Sequence, residues 1–186
     1  QILESIVSRT KLPMPKLYII DTPQSNAFAT GRNPKHAAVA VTTGLMKILT
    51  KDELRAVLAH EIGHIKNRDI LISSVAATIA GVISYAAFMA RWAAILGGFG
   101  GRGSDNNNIL ELIALAIIAP LMAMIIQFAI SRSREFLADE TGAKIIKDPY
   151  SLASALEKIE NNVAHHPFRK SGQTEATAHM FIHHPF

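Results

Sequence analysis

The spacing of apolar and polar residues changes along the chain, and each change predicts an element. Lys16-Leu17-Tyr18-Ile19-Ile20 and His36-Ala37-Ala38-Val39-Ala40-Val41 are short apolar-rich runs, which predicts two strands. Asn26-Ala27-Phe28-Ala29-Thr30-Gly31 lies between them and suits either a paired strand or a turn. A helical period then takes over. Thr50-Lys51-Asp52-Glu53 has the form of a capping box, which starts a helix by satisfying its first free N–H groups. Leu54, Leu58, Ile62 and Ile65 continue it as an apolar stripe. Further on, Ser131 to Lys147 predicts an amphipathic helix that Asp148-Pro149 breaks, and Leu152, Leu156, Ile159 and Val163 mark another. After Ala164 the periodicity fades.

Between the two helical regions lie runs of a different kind. Ile70 to Ala90 is 21 residues without a charge, ended by Arg91. At 1.5 Å per residue this makes about 31 Å of helix, enough to cross a bilayer core. A loop rich in Gly and Asn follows (Gly97 to Asn108), and then Leu112 to Ile130 gives 19 more uncharged residues with Pro120 inside. Packed membrane helices tolerate such a proline. Ser73, Ala77 and Gly81 recur every four residues, as do Ala76, Ala80 and Ser84, a spacing that lets helices approach closely in lipid. A buried helical hairpin in a soluble protein is the alternative, but covering two such runs needs far more protein than remains. The pattern therefore predicts a transmembrane hairpin. Its tip carries Arg91 and Arg102, whereas Lys66, Arg68, Arg132, Arg134, Lys144 and Lys147 flank its other end. Six cations against two place that end in the cytoplasm by the positive-inside rule.

The stripe-bearing helix also carries His60-Glu61-Ile62-Gly63-His64. Residues four apart lie on one helix face, about 6 Å apart along the axis, so two imidazoles there can bind one Zn²⁺. Glu61 is offset by roughly 100°. That puts it beside the metal, where it can take a proton from water. The motif fixes only three identities and arises by chance in roughly 2% of sequences this long. Here, however, a capped helix carries it, and Glu135 and Asp139 form a carboxylate pair four apart, 71 residues after His64. A strand beside such a helix can hold an extended peptide by main-chain hydrogen bonds; an ordinary surface hairpin fits the spacing equally well.

Composition narrows the chemistry. The 186 residues suffice for one compact domain, and there is no cysteine, so zinc must be held by His and carboxylate groups. A net charge of +4 invites nucleic acid or anionic lipid as a partner. No basic run interleaves with aromatics, however, and nucleic acid is not expected to bind. His165, His166, His179, His183 and His184 crowd the C-terminal stretch; lacking a spacing that pairs two on one helix face beside a third ligand, they read as solvated loop residues. The chain begins at Gln1 without Met or a signal peptide, which predicts a piece of a longer protein.

Three segments, together with the intervening hairpin, resemble the HtpX-type heat-shock metallopeptidases, membrane zinc proteases related to the CAAX prenyl endopeptidases. They are Ser25-Asn26-Ala27-Phe28-Ala29-Thr30-Gly31, His60-Glu61-Ile62-Gly63-His64-Ile65 with Asp69, and Ser131-Arg132-Ser133-Arg134-Glu135-Phe136-Leu137-Ala138-Asp139. The resemblance covers nearly the whole chain. It implies His60, His64 and Glu135 as ligands of one Zn²⁺, Glu61 as general base, and Asp139 as a carboxylate holding a ligand imidazole. It also sets Asn26, Ala27, Phe28 and Ala29 along the substrate backbone. Asp69 matches too, although a polar residue where the helix enters the membrane explains it equally. The family carries two more membrane helices upstream, and downstream a His-Pro segment followed by an Arg. Here His183-His184-Pro185-Phe186 ends the chain without that Arg.

The expected fold is α+β, mainly α: a zincin-like catalytic domain, a small sheet plus the HExxH helix, interrupted by a transmembrane helical hairpin. Residues 1–69 would form its N-terminal half, 70–130 the hairpin, and 131–186 the C-terminal half with the third ligand. The expected activity is zinc-dependent endoproteolysis of misfolded or damaged membrane proteins, in a stress response, at the inner (plasma) membrane. The partners would be protein or peptide substrates and the lipid bilayer. A peptidase for prenylated tails is the alternative sharing the site. A non-catalytic membrane adaptor with a structural metal is the alternative outside enzymes, which the presence of Glu61 argues against.

Overall fold

The computed structural model describes residues 1–97 and 106–165. Helix α1 (Ile2–Val7) precedes strands β1 (Lys16–Ile20) and β2 (Ala27–Gly31), a 3-10 turn at Pro34–His36, and strand β3 (Ala37–Thr42). Helices α2 (Thr43–Ile48), α3 (Lys51–Asn67), α4 (Asp69–Gly97), α5 (Asn106–Ile146) and α6 (Pro149–His165) follow. The described residues are thus mainly helical, with one small mixed sheet among them.

The sheet order is β1-β3-β2, parallel between β1 and β3 and antiparallel between β2 and β3. The stretch from Asn26 that could pair or turn therefore pairs, as an edge strand. Its register sets Ala27 opposite Val41 and Ala29 opposite Val39, and Thr42 reinforces the end by donating its N–H and hydroxyl to the Asn26 carbonyl.

The described residues form two compact units, one of 1–71 with 134–165 and a second within 72–133. The first has a continuous apolar core: Ile6 from α1, Val39 and Val41 from β3, Val57 and Ile62 from α3, and Leu152 and Ile159 from α6. Leu58, Ile62 and Ile65 of the expected stripe are buried in it, and Leu54 packs against its margin. Helix α3 starts in a capping box: Thr50 Oγ1 accepts from the Glu53 N–H, and the Glu53 carboxylate accepts from the Thr50 N–H. Glu53 also accepts from Ser154 and Lys158 of α6 (2.7 and 2.9 Å), tying the two helices together.

The second unit has a different surface. Two stretches, Asp69–Ala93 and Ile117–Ile146, are long and apolar enough to cross a membrane, and only 11% and 6% of their most apolar windows are buried. Val82, Tyr85 and Phe128 are each more than 60% exposed, the reverse of a soluble core helix. Pro120 lies inside α5 without ending it, and the Ser131–Lys147 segment continues the same helix. The two small-residue rows differ: in the first, Ala77 is exposed and a methyl group at Gly81 would meet nothing within 4 Å, whereas in the second Ala80 is buried. Of the C-terminal histidines, His165 closes α6; His166, His179, His183 and His184 lie outside the described residues.

Candidate metal centre

Two glycines bring α3 against the C-terminal part of α5. A Cβ on Gly63 would stand 3.0 Å from the Ala138 carbonyl oxygen, and one on Gly142 would stand 3.0 Å from the His60 backbone N and Cα. The backbones can approach this closely only because neither residue carries a side chain. The consequence is that Glu135 and Asp139, one turn apart on α5, face His60 and His64, one turn apart on α3.

His60, His64 and Glu135 each direct one ligand atom into a common space, all within 4.8 Å of one another. The His60 and His64 Nε2 atoms are 3.0 Å apart. Glu135 Oε2 lies 3.7 Å from the first and 3.6 Å from the second. Donors about 2.0–2.1 Å from a tetrahedral zinc lie about 3.3 Å from each other, so the three atoms fit one ion with little adjustment. His60 is buried and Glu135 is 55% exposed, so the centre opens on the Glu135 side.

Each imidazole meets a carboxylate through its other nitrogen. His60 Nδ1 lies 2.9 Å from Asp139 Oδ1, an ion-pair contact without an aligned hydrogen bond. His64 Nδ1 bonds Asp69 Oδ2 at 2.6 Å, and Asp69 is only 2% exposed. That second contact depends on the helix boundary. Arg68 adopts a left-handed conformation (φ 58°, ψ 39°), ending α3, and α4 starts at the next residue. This single turn swings Asp69 back onto His64. The Asp69 carbonyl in turn accepts from the Arg134 guanidinium at 3.1 Å.

Glu61 is buried. Burial, the largest influence, pushes its carboxyl pKa up; the nearby imidazoles of His60 and His64 and a hydrogen bond from the Ala29 N–H offset part of this. The Ala29 contact matters twice, because it places the edge strand β2 against the base. Around His64, burial opposes the charged ring, but the Asp69 hydrogen bond and the fields of Glu61 and Glu135 outweigh it and raise the pKa. Carboxylates turned toward a pair of imidazoles make a cation site even before an ion enters.

Sequence reasoning left Gly63 and Gly142 unassigned and the part played by Asp69 open. Gly63 and Gly142 interrupt helical patterns, a signal of close backbone approach. Asp69 follows a left-handed arginine that no residue type announces.

Comparisons with known proteins identify the family. The model of Peptidase family M48 matches residues 1–186. The chain is 55% identical over 184 residues to a Protease HtpX homolog of Syntrophotalea carbinolica, covering 99% of this chain and 65% of that one. It is 56% identical to one from Thermococcus kodakarensis (100% and 63%) and 52% identical to one from Pyrococcus furiosus (100% and 63%). It therefore spans a little under two thirds of the length of these relatives. The crystal structure of S. mikatae Ste24p shares the fold, with TM-score 0.57 at 23% identity over 87% of this chain and 42% of that one. The chain belongs to peptidase family M48.

Proposed function

We propose that this chain is the catalytic portion of a membrane-bound zinc endopeptidase that degrades misfolded or damaged membrane proteins. The observation that carries the reading is the meeting of His60, His64 and Glu135 at zinc-ligand spacing, with the buried Glu61 beside them rather than among them. A non-catalytic metal site has no use for such a base. A zinc ion there would act as a Lewis acid on the scissile carbonyl and lower the pKa of water at its open position. Glu61 takes the proton from the attacking water and returns it to the leaving amine; its raised pKa suits both transfers. Asp139 and Asp69 hold the rings of His60 and His64. The substrate pairs along Asn26, Ala27, Phe28 and Ala29 on the open edge of β2, drawn past the metal as an extended strand.

Residues 70–130 form a transmembrane hairpin inserted between the two halves of the peptidase domain, 1–69 and 131–186. The exposure of its large apolar side chains supports this. The cation excess beside the catalytic halves supports a multi-pass protein of the inner membrane with its site in the cytoplasm. The test is zinc analysis of the full-length protein with casein cleavage and self-cleavage assays. Glu61→Gln should retain one zinc per chain and lose proteolysis by at least a hundredfold. Full activity in that variant would sink the mechanism.

A further inference from the structure

We propose that the site includes a cationic subsite that selects an acidic side chain two to four positions N-terminal to the cleaved bond; this rests on the peptidase reading above. A cleft of about 500 Å³ begins where β2 ends, lined by Thr30 and Gly31 of that strand, the metal-site His64, and Arg32, Lys35 and Arg68. Its remaining lining is mostly aliphatic, and no Asp or Glu contributes to it. All three cations are exposed. Arg32 leans on the His36 ring, while among the described residues Lys35 and Arg68 have no carboxylate partner. Three like charges at one mouth repel each other, and an incoming carboxylate relieves that repulsion while its aliphatic stem meets the apolar wall.

The position follows from the strand. The Ala29 N–H touches the Glu61 carboxylate, which marks the reacting centre. Thr30 and Gly31 are the next two residues, so a peptide paired along β2 enters the cleft about 3–7 Å further on and comes level with Arg32 at about 10 Å. Antiparallel pairing is the more stable arrangement. It runs the substrate against β2 and sets its N-terminal side over the cleft. Arg68, whose left-handed conformation positions Asp69, is also one of the three cations lining the cleft, so one bend serves both the proposed metal site and the subsite.

The experiment uses the full-length zinc-loaded protein in neutral detergent and one neutral ten-residue quenched-fluorescent peptide, scanned with Glu or Gln at each position. The Glu/Gln ratio of kcat/KM should reach about fivefold two to four residues before the cleaved bond and stay near one elsewhere. Arg68→Asn combined with Lys35→Gln should bring it to about one; Asn tolerates the left-handed conformation, and a ratio is insensitive to the folded fraction. Lys35→Glu with Arg68→Glu should invert it, favouring Lys over Gln. A ratio unchanged by these variants, or a preference confined to the C-terminal side, overturns the proposal. So does a preference that appears only in phosphatidylcholine vesicles with added phosphatidylglycerol, since the cations would then serve lipid phosphates. Anisotropy of the labelled peptides on zinc-loaded Glu61→Gln protein separates the two readings. An acid preference in binding without cleavage by the parent removes the peptidase and leaves the subsite; equal binding of Glu and Gln peptides removes the subsite.

Discussion

Replacing Asp69 should loosen the metal more than replacing Asp139, although both carboxylates face an imidazole. Asp69 meets His64 Nδ1 at 2.6 Å in an aligned hydrogen bond and is 2% exposed. Asp139 comes within 2.9 Å of His60 Nδ1 but is 42% exposed and misaligned. A hydrogen bond to a charged group is worth about 1.5–3 kcal/mol when buried, while an exposed ion pair contributes about 0–1 kcal/mol. Asp69→Asn should therefore weaken zinc binding about 10–100-fold, equivalent to about 1.4–2.7 kcal/mol. Asp139→Asn should cost less than about tenfold.

Two substitutions at the same position separate orientation from charge. The asparagine oxygen of Asp69→Asn can still accept from Nδ1, so the ring stays in place and only the carboxylate's field is lost. Asp69→Ala removes both and leaves a buried nitrogen unsatisfied, so it should bind zinc more weakly than Asp69→Asn. Zinc affinity by chelator competition measures this, on a Glu61→Gln background that prevents self-digestion. Thermal unfolding of the zinc-free proteins corrects for lost stability. An Asp69→Asn affinity within twofold of the parent, or a larger loss for Asp139→Asn, would refute the assignment of Asp69 as the principal support of His64.

Glu135→Ala should reduce zinc from one per chain to well below that under dialysis, read by metal analysis; unchanged stoichiometry would move the third ligand elsewhere. Gly142→Ala places a methyl group 3.0 Å from the His60 backbone, so overpacking of about 1–3 kcal/mol should exceed the roughly 1 kcal/mol gained in helix propensity. Its Tm and zinc affinity should fall together, and a higher Tm with intact zinc binding would contradict the close packing. The Glu53 carboxyl is held at about 2, first by Lys158, then by the Thr50 N–H and Ser154, with burial opposing only weakly. A depressed carboxyl stabilises the fold fully above pH 4.5, and that stability is lost as pH falls from 4.5 towards 2. The full shift corresponds to about 3.4 kcal/mol, but Lys158 is 43% exposed, and screening reduces the expected value to about 1–2 kcal/mol. Glu53→Gln should lower Tm at pH 7 and flatten its acid dependence; an unchanged slope between pH 4.5 and 2 would count against the network.

What could be read from the sequence was what obeys a local period. The capping box at Thr50, the stripe through Ile62, and the positions of His60, Glu61 and His64 on one helix depend only on residues within a few turns of each other. The long uncharged runs are legible because helix length is proportional to residue count. Pairing was harder. Asn26–Gly31 has the composition of a strand or a turn, and only the neighbouring β3 decides between them. The parallel partnership of β1 with β3 leaves no local mark, since β1 is exposed along its whole length and shows no alternation that would reveal a buried face. The small-residue rows show a spacing that permits close approach without requiring it: Ala80 is buried, while Gly81 has open space beside it.

Asp69 shows why the surroundings of the candidate metal site were less legible than its proposed ligands. Helical spacing links His60 to His64, but the five residues from His64 to Asp69 cross a helix end, where i+5 is not a facing position in a continuous helix. The contact exists because Arg68 takes a left-handed conformation that costs a non-glycine residue roughly 1 kcal/mol or more. Its N–H bonds to the carbonyls of His64 and Ile65 repay part of that cost. Had α3 run on into α4 without a break, Asp69 would have turned away from His64, and Arg68 would have left the mouth of the cleft. The bend at the end of the HExxH helix is thus where the proposed support of the His64 ring and the charge of a neighbouring cleft meet.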